Sequence, residues 1–64
     1  MKRRDLIKRI EALGAEFVRH GSNHDWYWHP ATKIHQAVPR HQEVKEYVAR
    51  SILKNFSQTP KFFS

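Results

Sequence analysis

AEFVRHGSNHDWYWHP, residues 15–30, decides the fold because it predicts two β-strands joined by a tight turn. The first strand precedes Gly21, which opens the turn. The second strand is rich in aromatic residues, which favour strands, and Pro30 closes it because proline cannot donate a hydrogen bond to a neighbouring strand. The segment therefore predicts an antiparallel β-hairpin.

A third strand and two helices are predicted around this hairpin. Residues 3–13 carry apolar side chains at helical spacing, and Gly14 follows where a left-handed C-terminal cap is expected. Residues 34–38 alternate as a strand that Pro39 ends. The last helix is predicted to have one apolar face, made of Val44, Tyr47, Val48, Ser51, Ile52 and Phe56.

The order of these elements predicts the fold class. Short turns between the strands favour a three-stranded antiparallel sheet, and the single apolar face of each helix places both helices on the same side of it. We expect an α+β two-layer sandwich, α-β-β-β-α, that resembles a double-stranded RNA-binding domain and leaves one sheet face uncovered. Residues 1–56 are predicted to form one domain, and residues 57–64 a mobile tail.

Charge narrows the choice of partner. Twelve Lys and Arg against six Asp and Glu give a net charge of +6, which favours nucleic acid first, an acidic protein second and an anionic membrane third. The chain has no cysteine, so it has neither disulfides nor thiolate zinc ligands. No stretch approaches the roughly 18 apolar residues of a membrane-spanning helix, and we expect a cytoplasmic protein.

Five histidines raise the question of a metal site, and spacing argues against one. His24 and His29 are predicted on opposite faces of one strand, and Asp25 is the only carboxylate among the histidines. We therefore expect no metal. His29 is predicted to hydrogen-bond a turn carbonyl, and His20 and His35 to be solvated strand residues.

His24 has a different context from the other histidines. It follows the turn formed by Gly21, Ser22 and Asn23, whose backbone amides could face a phosphate. It also opens a strand, so it lies at a sheet end, where an imidazole suits proton transfer with a ribose hydroxyl. A solvated surface histidine remains the alternative.

VPRH, residues 38–41, is the second candidate segment. Pro39 is expected to hold Arg40 and His41 at the sheet edge. The Arg40 guanidinium is a planar fork that suits phosphate, although a solvated loop arginine is an equal alternative.

The aromatic residues of the second strand divide into two sets. Trp26 and Trp28 share one face, and Tyr27 lies on the other with Asp25 and His29. One set must pack under the helices. The other lies on the open face, where it could stack bases or be covered by a partner.

These segments together resemble the HicA toxins of bacterial and archaeal toxin–antitoxin pairs. The resemblance covers about residues 3–56 and includes LIKRIEALGAEFVRHGSNH, the HP pair, VPRH and EVKEYVARSILKNF. It implies a fold like a double-stranded RNA-binding domain, an mRNA interferase activity and silencing by a HicB antitoxin. It also implies that His24 is catalytic, that Gly21 and Ser22 form the family turn, and that Arg40 and His41 form the family loop. Many members have two histidines after the Gly-Ser pair, whereas this chain has Asn23 and then His24.

The resulting hypothesis is a metal-independent endoribonuclease without a cofactor, in which His24 is the general base. Gly21, Ser22, Lys33, Arg40 and His41 are the predicted RNA-binding residues, with Arg40 or Lys33 stabilising charge on the phosphate. Tyr27 and His41 are the candidates for the second proton donor. The alternatives are a non-catalytic RNA-binding module, and an interaction protein whose basic surface docks an acidic antitoxin.

Overall fold

The computed structural model of the protein describes residues 1–57. Helix α1 spans Arg3–Ala12, strands β1, β2 and β3 span Glu16–His20, His24–Trp28 and His35–Pro39, and helix α2 spans Glu46–Ser57. The three strands form one antiparallel sheet in the order β1-β2-β3. The predicted α+β class, element order and sheet are confirmed. The tail prediction falls mainly on residues 58–64, outside the described residues.

Helix α1 ends at the predicted glycine. Gly14 has a φ of 105°, a left-handed conformation that is strained for any residue with a Cβ atom. Its N–H donates to Glu11 O and that of Ala15 to Ile10 O, the paired bonds of a Schellman cap. The cap turns the chain into β1 at the start of the hairpin.

The core lies between the sheet and the two helices. Leu6 and Ile10 of α1 are fully buried against Ile52 and Phe56 of α2 in a cluster that includes Tyr27 of the sheet. Burial of such side chains, at about 25 cal/mol per Å² of apolar surface, is the main stabilising contribution available to so short a chain. Tyr27 faces the helices, and therefore the two tryptophans of β2 face away from them.

The predicted apolar face of α2 is partly wrong. Tyr47 is 70% exposed and Ser51 is also exposed. The helix begins at Glu46 and buries Ala49, Ile52 and Phe56, which are spaced i, i+3, i+7. Tyr47, two residues before Ala49, lies about 200° away around the helix from that position.

Strand β1 contains an irregularity that simple alternation does not predict. Phe17 pairs with Tyr27, but the next pairs are Arg19 with Trp26 and His20 with Asp25. Val18 is thus an extra residue, a β-bulge. The bulge shifts the last residues of β1 by one position and places His20 directly opposite Asp25.

No helix in the described part of the chain is both long and apolar enough to cross a membrane.

Candidate active site at the β1–β2 turn

The turn between β1 and β2 is tightly closed. The N–H of Gly21 donates to the carbonyl of His24 at 2.6 Å. A Cβ atom on Gly21 would lie 2.9 Å from that carbonyl oxygen and 3.2 Å from the indole nitrogen of Trp26. Only glycine fits there without displacing the backbone of His24.

His24 is presented at the end of this turn. It is the first residue of β2, lies opposite Pro39 and is exposed. Because its neighbour Asp25 faces the helices, strand alternation puts the His24 side chain on the open face of the sheet. Its imidazole has no hydrogen-bond partner within residues 1–57, so both ring nitrogens are accessible.

Asp25 anchors the other side of the same strand. Its carboxylate is nearly buried and accepts hydrogen bonds from Arg3, His20 and Arg40 at 2.6, 2.7 and 2.9 Å. The bond from His20, and then that from Arg40, hold its pKa at about 2, below the ordinary 3.8. Asp25 is therefore ionised at neutral pH, and the four side chains line an open depression on the helix side of the sheet.

Arg40 joins this carboxylate to the turn. Its Nε donates to Asp25, while its terminal NH2 donates to the carbonyl of Gly21 at 2.5 Å. Longer contacts of 3.4 Å reach the carbonyls of Ser22 and His24. The planar guanidinium thus holds the carbonyl side of the turn, a role that one flexible ammonium group would not fill.

The N–H groups of the turn are left available. Neither Ser22 nor Asn23 donates its backbone N–H to an acceptor within the described residues, and both residues are exposed. Adjacent N–H groups in a turn can bind an anion. Because Arg40 binds the carbonyls of this turn, the groups of the turn that remain free are N–H donors, which suit a phosphate.

The other predicted RNA-binding residues lie apart from one another. His41 is exposed in the loop after β3, at the same end of the sheet as His24. Lys33 lies in the β2–β3 turn, at the opposite end of β2, with a φ of 63°. The structure therefore groups Gly21, Ser22 and Arg40 with His24, keeps His41 at their end of the sheet and separates Lys33 from them.

Tyr27 and His29 both have structural roles. Tyr27 is buried in the core, and burial raises the pKa of its hydroxyl, so the structure corrects its candidacy as a proton donor to substrate. His29 accepts the N–H of Ala31 at Nδ1, and so its Nε2 carries the hydrogen and donates to Leu13 O at 2.9 Å. The predicted carbonyl bond of His29 is confirmed.

His20, like Arg3, is a residue of this site that the sequence does not single out. Its side chain is 73% exposed, as predicted, but its Nδ1 donates to Asp25. That bond fixes the ring on the helix side of the sheet, the face opposite to that of His24. The bulge in β1 creates the pairing, and no pattern in the sequence marks a bulge at Val18.

Metal ligation has no geometric support in residues 1–57, where no group of three or more His, Asp or Glu side chains could hold a metal ion. The chemistry that the described side chains offer is proton transfer by imidazole and binding of anions, in a chain of net charge +6.

Comparison with known proteins gives one match. Searches of curated proteins and of solved structures found none. The family model described as "HicA toxin of bacterial toxin-antitoxin" matches residues 3–56. The matched range contains α1, the three strands, the β1–β2 turn and all of α2 except its last residue. The match covers most of the 64 residues, and the chain therefore belongs to the HicA family of toxins from bacterial toxin–antitoxin systems.

Proposed function

We propose that the protein is a metal-independent endoribonuclease that cleaves mRNA, with His24 as its catalytic base. One observation supports this most directly. An exposed imidazole without a partner in residues 1–57 stands at the end of a turn that Arg40 holds by its carbonyls. A toxin of a toxin–antitoxin family with a charge of +6 is suited to a polyanionic target.

The reaction uses a nucleophile that belongs to the substrate. His24 removes the proton of a ribose 2′-hydroxyl, and the 2′-oxygen forms a bond to the adjacent phosphorus. The bond from phosphorus to the 5′-oxygen of the next nucleotide breaks, and that oxygen takes up a proton. The products are a 2′,3′-cyclic phosphate and a 5′-hydroxyl end. The attacking oxygen needs no metal ion because His24 supplies its activation.

Charge on the phosphate is stabilised by the turn itself. The N–H groups of Ser22 and Asn23 are the nearest free donors in sequence to His24 and lie on the turn that presents it. Preorganised backbone donors are effective at such positions because they need no rearrangement during the reaction. Arg40 acts mainly by holding the turn, and Lys33 contacts the RNA farther along.

The proton for the leaving 5′-oxygen comes from a second imidazole. His41 and His20 are both exposed near the end of the sheet that carries His24. His41 is the candidate of the two, because Asp25 holds the His20 ring on the helix side of the sheet, the face opposite to that of His24.

The partner is a HicB-like antitoxin, which silences the toxin by covering His24 and the turn. The site of action is the cytoplasm, where mRNA is accessible. An antitoxin with acidic side chains would match the excess of basic residues in the chain.

Expression of wild type, His24→Ala and Tyr47→Ala in cells tests the proposal, with growth arrest and mRNA decay as readouts. Tyr47 is the matched control because it is exposed on α2. Loss of a general base lowers cleavage by roughly 10²–10⁴-fold, so His24→Ala should be inactive and Tyr47→Ala active.

Purified proteins then separate cleavage from binding. His24→Ala should retain the wild-type circular dichroism spectrum and RNA affinity, because its side chain makes no hydrogen bond within residues 1–57. Near wild-type cleavage by this variant would contradict the role of His24. A wild-type protein that shifts RNA without cutting it would instead identify a non-catalytic RNA-binding module.

A further inference from the structure

The sheet face opposite the helices carries two tryptophans. Trp26 pairs with Arg19 on one side and Ala37 on the other, and Trp28 pairs with His35. The alternate residues of β2 are buried toward the helices, so both indoles lie on the open face. Both are half-buried among their neighbours and retain exposed surface.

Each indole has a cation over its ring. The guanidinium carbon of Arg19 lies 5.6 Å from the ring centroid of Trp26, and Nζ of Lys33 lies 5.6 Å from that of Trp28. Both distances are within the range of a cation–π interaction. His35 adds a third ring at 5.5 Å from Trp28, and Glu16 is the acidic residue that pairs on this face.

This surface is continuous with the candidate active site. His24, Trp26 and Trp28 are alternate residues of one strand, so they follow one another on the same face at intervals of about 6.8 Å. The indole nitrogen of Trp26 borders the turn, since it lies 3.2 Å from the position of a Cβ on Gly21. A chain lying along β2 would therefore pass from the tryptophans to His24.

We propose that this face binds single-stranded RNA, with unpaired bases stacked on Trp26 and Trp28 and phosphates paired with Arg19 and Lys33. Proteins bind single-stranded nucleic acids through exposed aromatic rings beside cations, because every unpaired base has a flat face that can stack on a ring. A duplex hides those faces between its own base pairs. The proposal rests on the proposed ribonuclease function and names its substrate: unpaired stretches of mRNA, held so that an adjacent phosphodiester meets His24.

The test measures binding without cleavage. A fluorescent RNA oligonucleotide with 2′-O-methyl groups lacks the attacking hydroxyl and is titrated with protein, both as a single strand and annealed to its complement. Wild type should prefer the single strand. Trp26→Ala and Trp28→Ala should each weaken single-strand binding by roughly 5- to 100-fold, the effect of losing one stacked base.

Matched variants separate stacking from folding and charge. Trp26→Phe and Trp28→Phe keep an aromatic ring and should keep most of the affinity, whereas Tyr47→Ala, on the helix side, should leave it unchanged. Intrinsic tryptophan fluorescence should be quenched by the single strand in wild type.

Three results would overturn the proposal: equal affinity for duplex and single strand, unchanged affinity in both alanine variants, or alanine variants that lose only antitoxin binding. The last result would identify the face as a protein interface. The outcome is separate from that of the ribonuclease proposal, because binding to the modified RNA needs no catalysis. If the protein binds the modified single strand through the tryptophans but does not cleave unmodified RNA, only the ribonuclease proposal is contradicted.

Discussion

Replacing Arg40 distinguishes a residue that holds the turn from one that only attracts phosphate. Its side chain makes two short hydrogen bonds, to the Asp25 carboxylate at 2.9 Å and to the Gly21 carbonyl at 2.5 Å. Bonds to charged groups contribute about 1.5–3 kcal/mol each when well shielded, but this side chain is 41% exposed and water replaces part of what is lost. We therefore expect Arg40→Ala to lower the free energy of unfolding by about 2 kcal/mol.

Thermal unfolding followed by circular dichroism measures this loss. In a domain of this size about 1 kcal/mol shifts the midpoint by roughly 4–8 °C, so Arg40→Ala should unfold about 8–16 °C below wild type. Arg40→Lys keeps the charge but lacks the planar fork, and should recover only part of the difference. Arg50→Ala is the control for loss of one positive charge, since Arg50 is exposed on α2.

Cleavage of a fluorescent RNA should follow the same order. A loosened turn displaces His24 from the 2′-hydroxyl, and a shift of about 1 Å can cost up to 10²-fold in rate. Arg40→Ala and Arg40→Lys should therefore both be slow even at saturating RNA. If Arg40→Ala unfolds at the same temperature as Arg50→Ala, or if Arg40→Lys has full activity, then Arg40 acts only through its charge. Either result would refute the proposal that Arg40 holds the turn.

Three further predictions follow from other contacts. Because the pKa of Asp25 is lower in the folded state, the ionised carboxylate stabilises the fold above pH 3.8, and this stabilisation is lost as the pH falls toward 2. In urea titrations at several pH values, the free energy of unfolding of Asp25→Asn should depend less on pH than that of wild type. An equal dependence on pH in the two proteins would contradict this prediction. Gly14→Ala should lower the free energy of unfolding in urea by about 2–3 kcal/mol. Alanine is strained at this left-handed φ, and its Cβ would lie 2.8 Å from His29 Nε2, so the hydrogen bond of His29 to Leu13 would be lost. An unfolding midpoint equal to that of wild type would refute this prediction. His41→Ala should slow cleavage of RNA but not of uridine 3′-(4-nitrophenyl phosphate), whose leaving group needs no proton, while His24→Ala slows both. Equal slowing of both substrates by His41→Ala would exclude His41 as the acid.

The architecture could be predicted because its signals are local. Apolar spacing in α1, Gly14 at its end and the turn at Gly21 each act over a few residues, and the structure agrees at all three. The apolar spacing mispredicts the face of α2 because Val44 fits the helical period although it lies outside the helix. Val44 precedes the helix and is buried by a separate contact, in which its N–H bonds to Met1 O.

The candidate site was predictable only in part. The Gly21 turn and His24 could be recognised from residue types and from the resemblance to HicA toxins, but the environment of Asp25 depends on contacts between distant segments. Arg3 and Arg40 reach this carboxylate from α1 and from the loop after β3. Such contacts leave no period in the sequence.

The bulge at Val18 explains why adjacent residues of β2 have different roles. In a regular ladder with Val18 opposite Trp26, Arg19 would lie opposite Asp25 and His20 opposite His24, and both histidines would share the open face. With the bulge, Asp25 gains an imidazole partner on the helix side while His24 remains free on the other. A nearly buried carboxylate is costly unless it is paired, so β1, α1 and the loop after β3 must all be in place for the turn to hold its shape. The position of His24 is thus a property of the whole fold, although its own ring makes no hydrogen bond within residues 1–57.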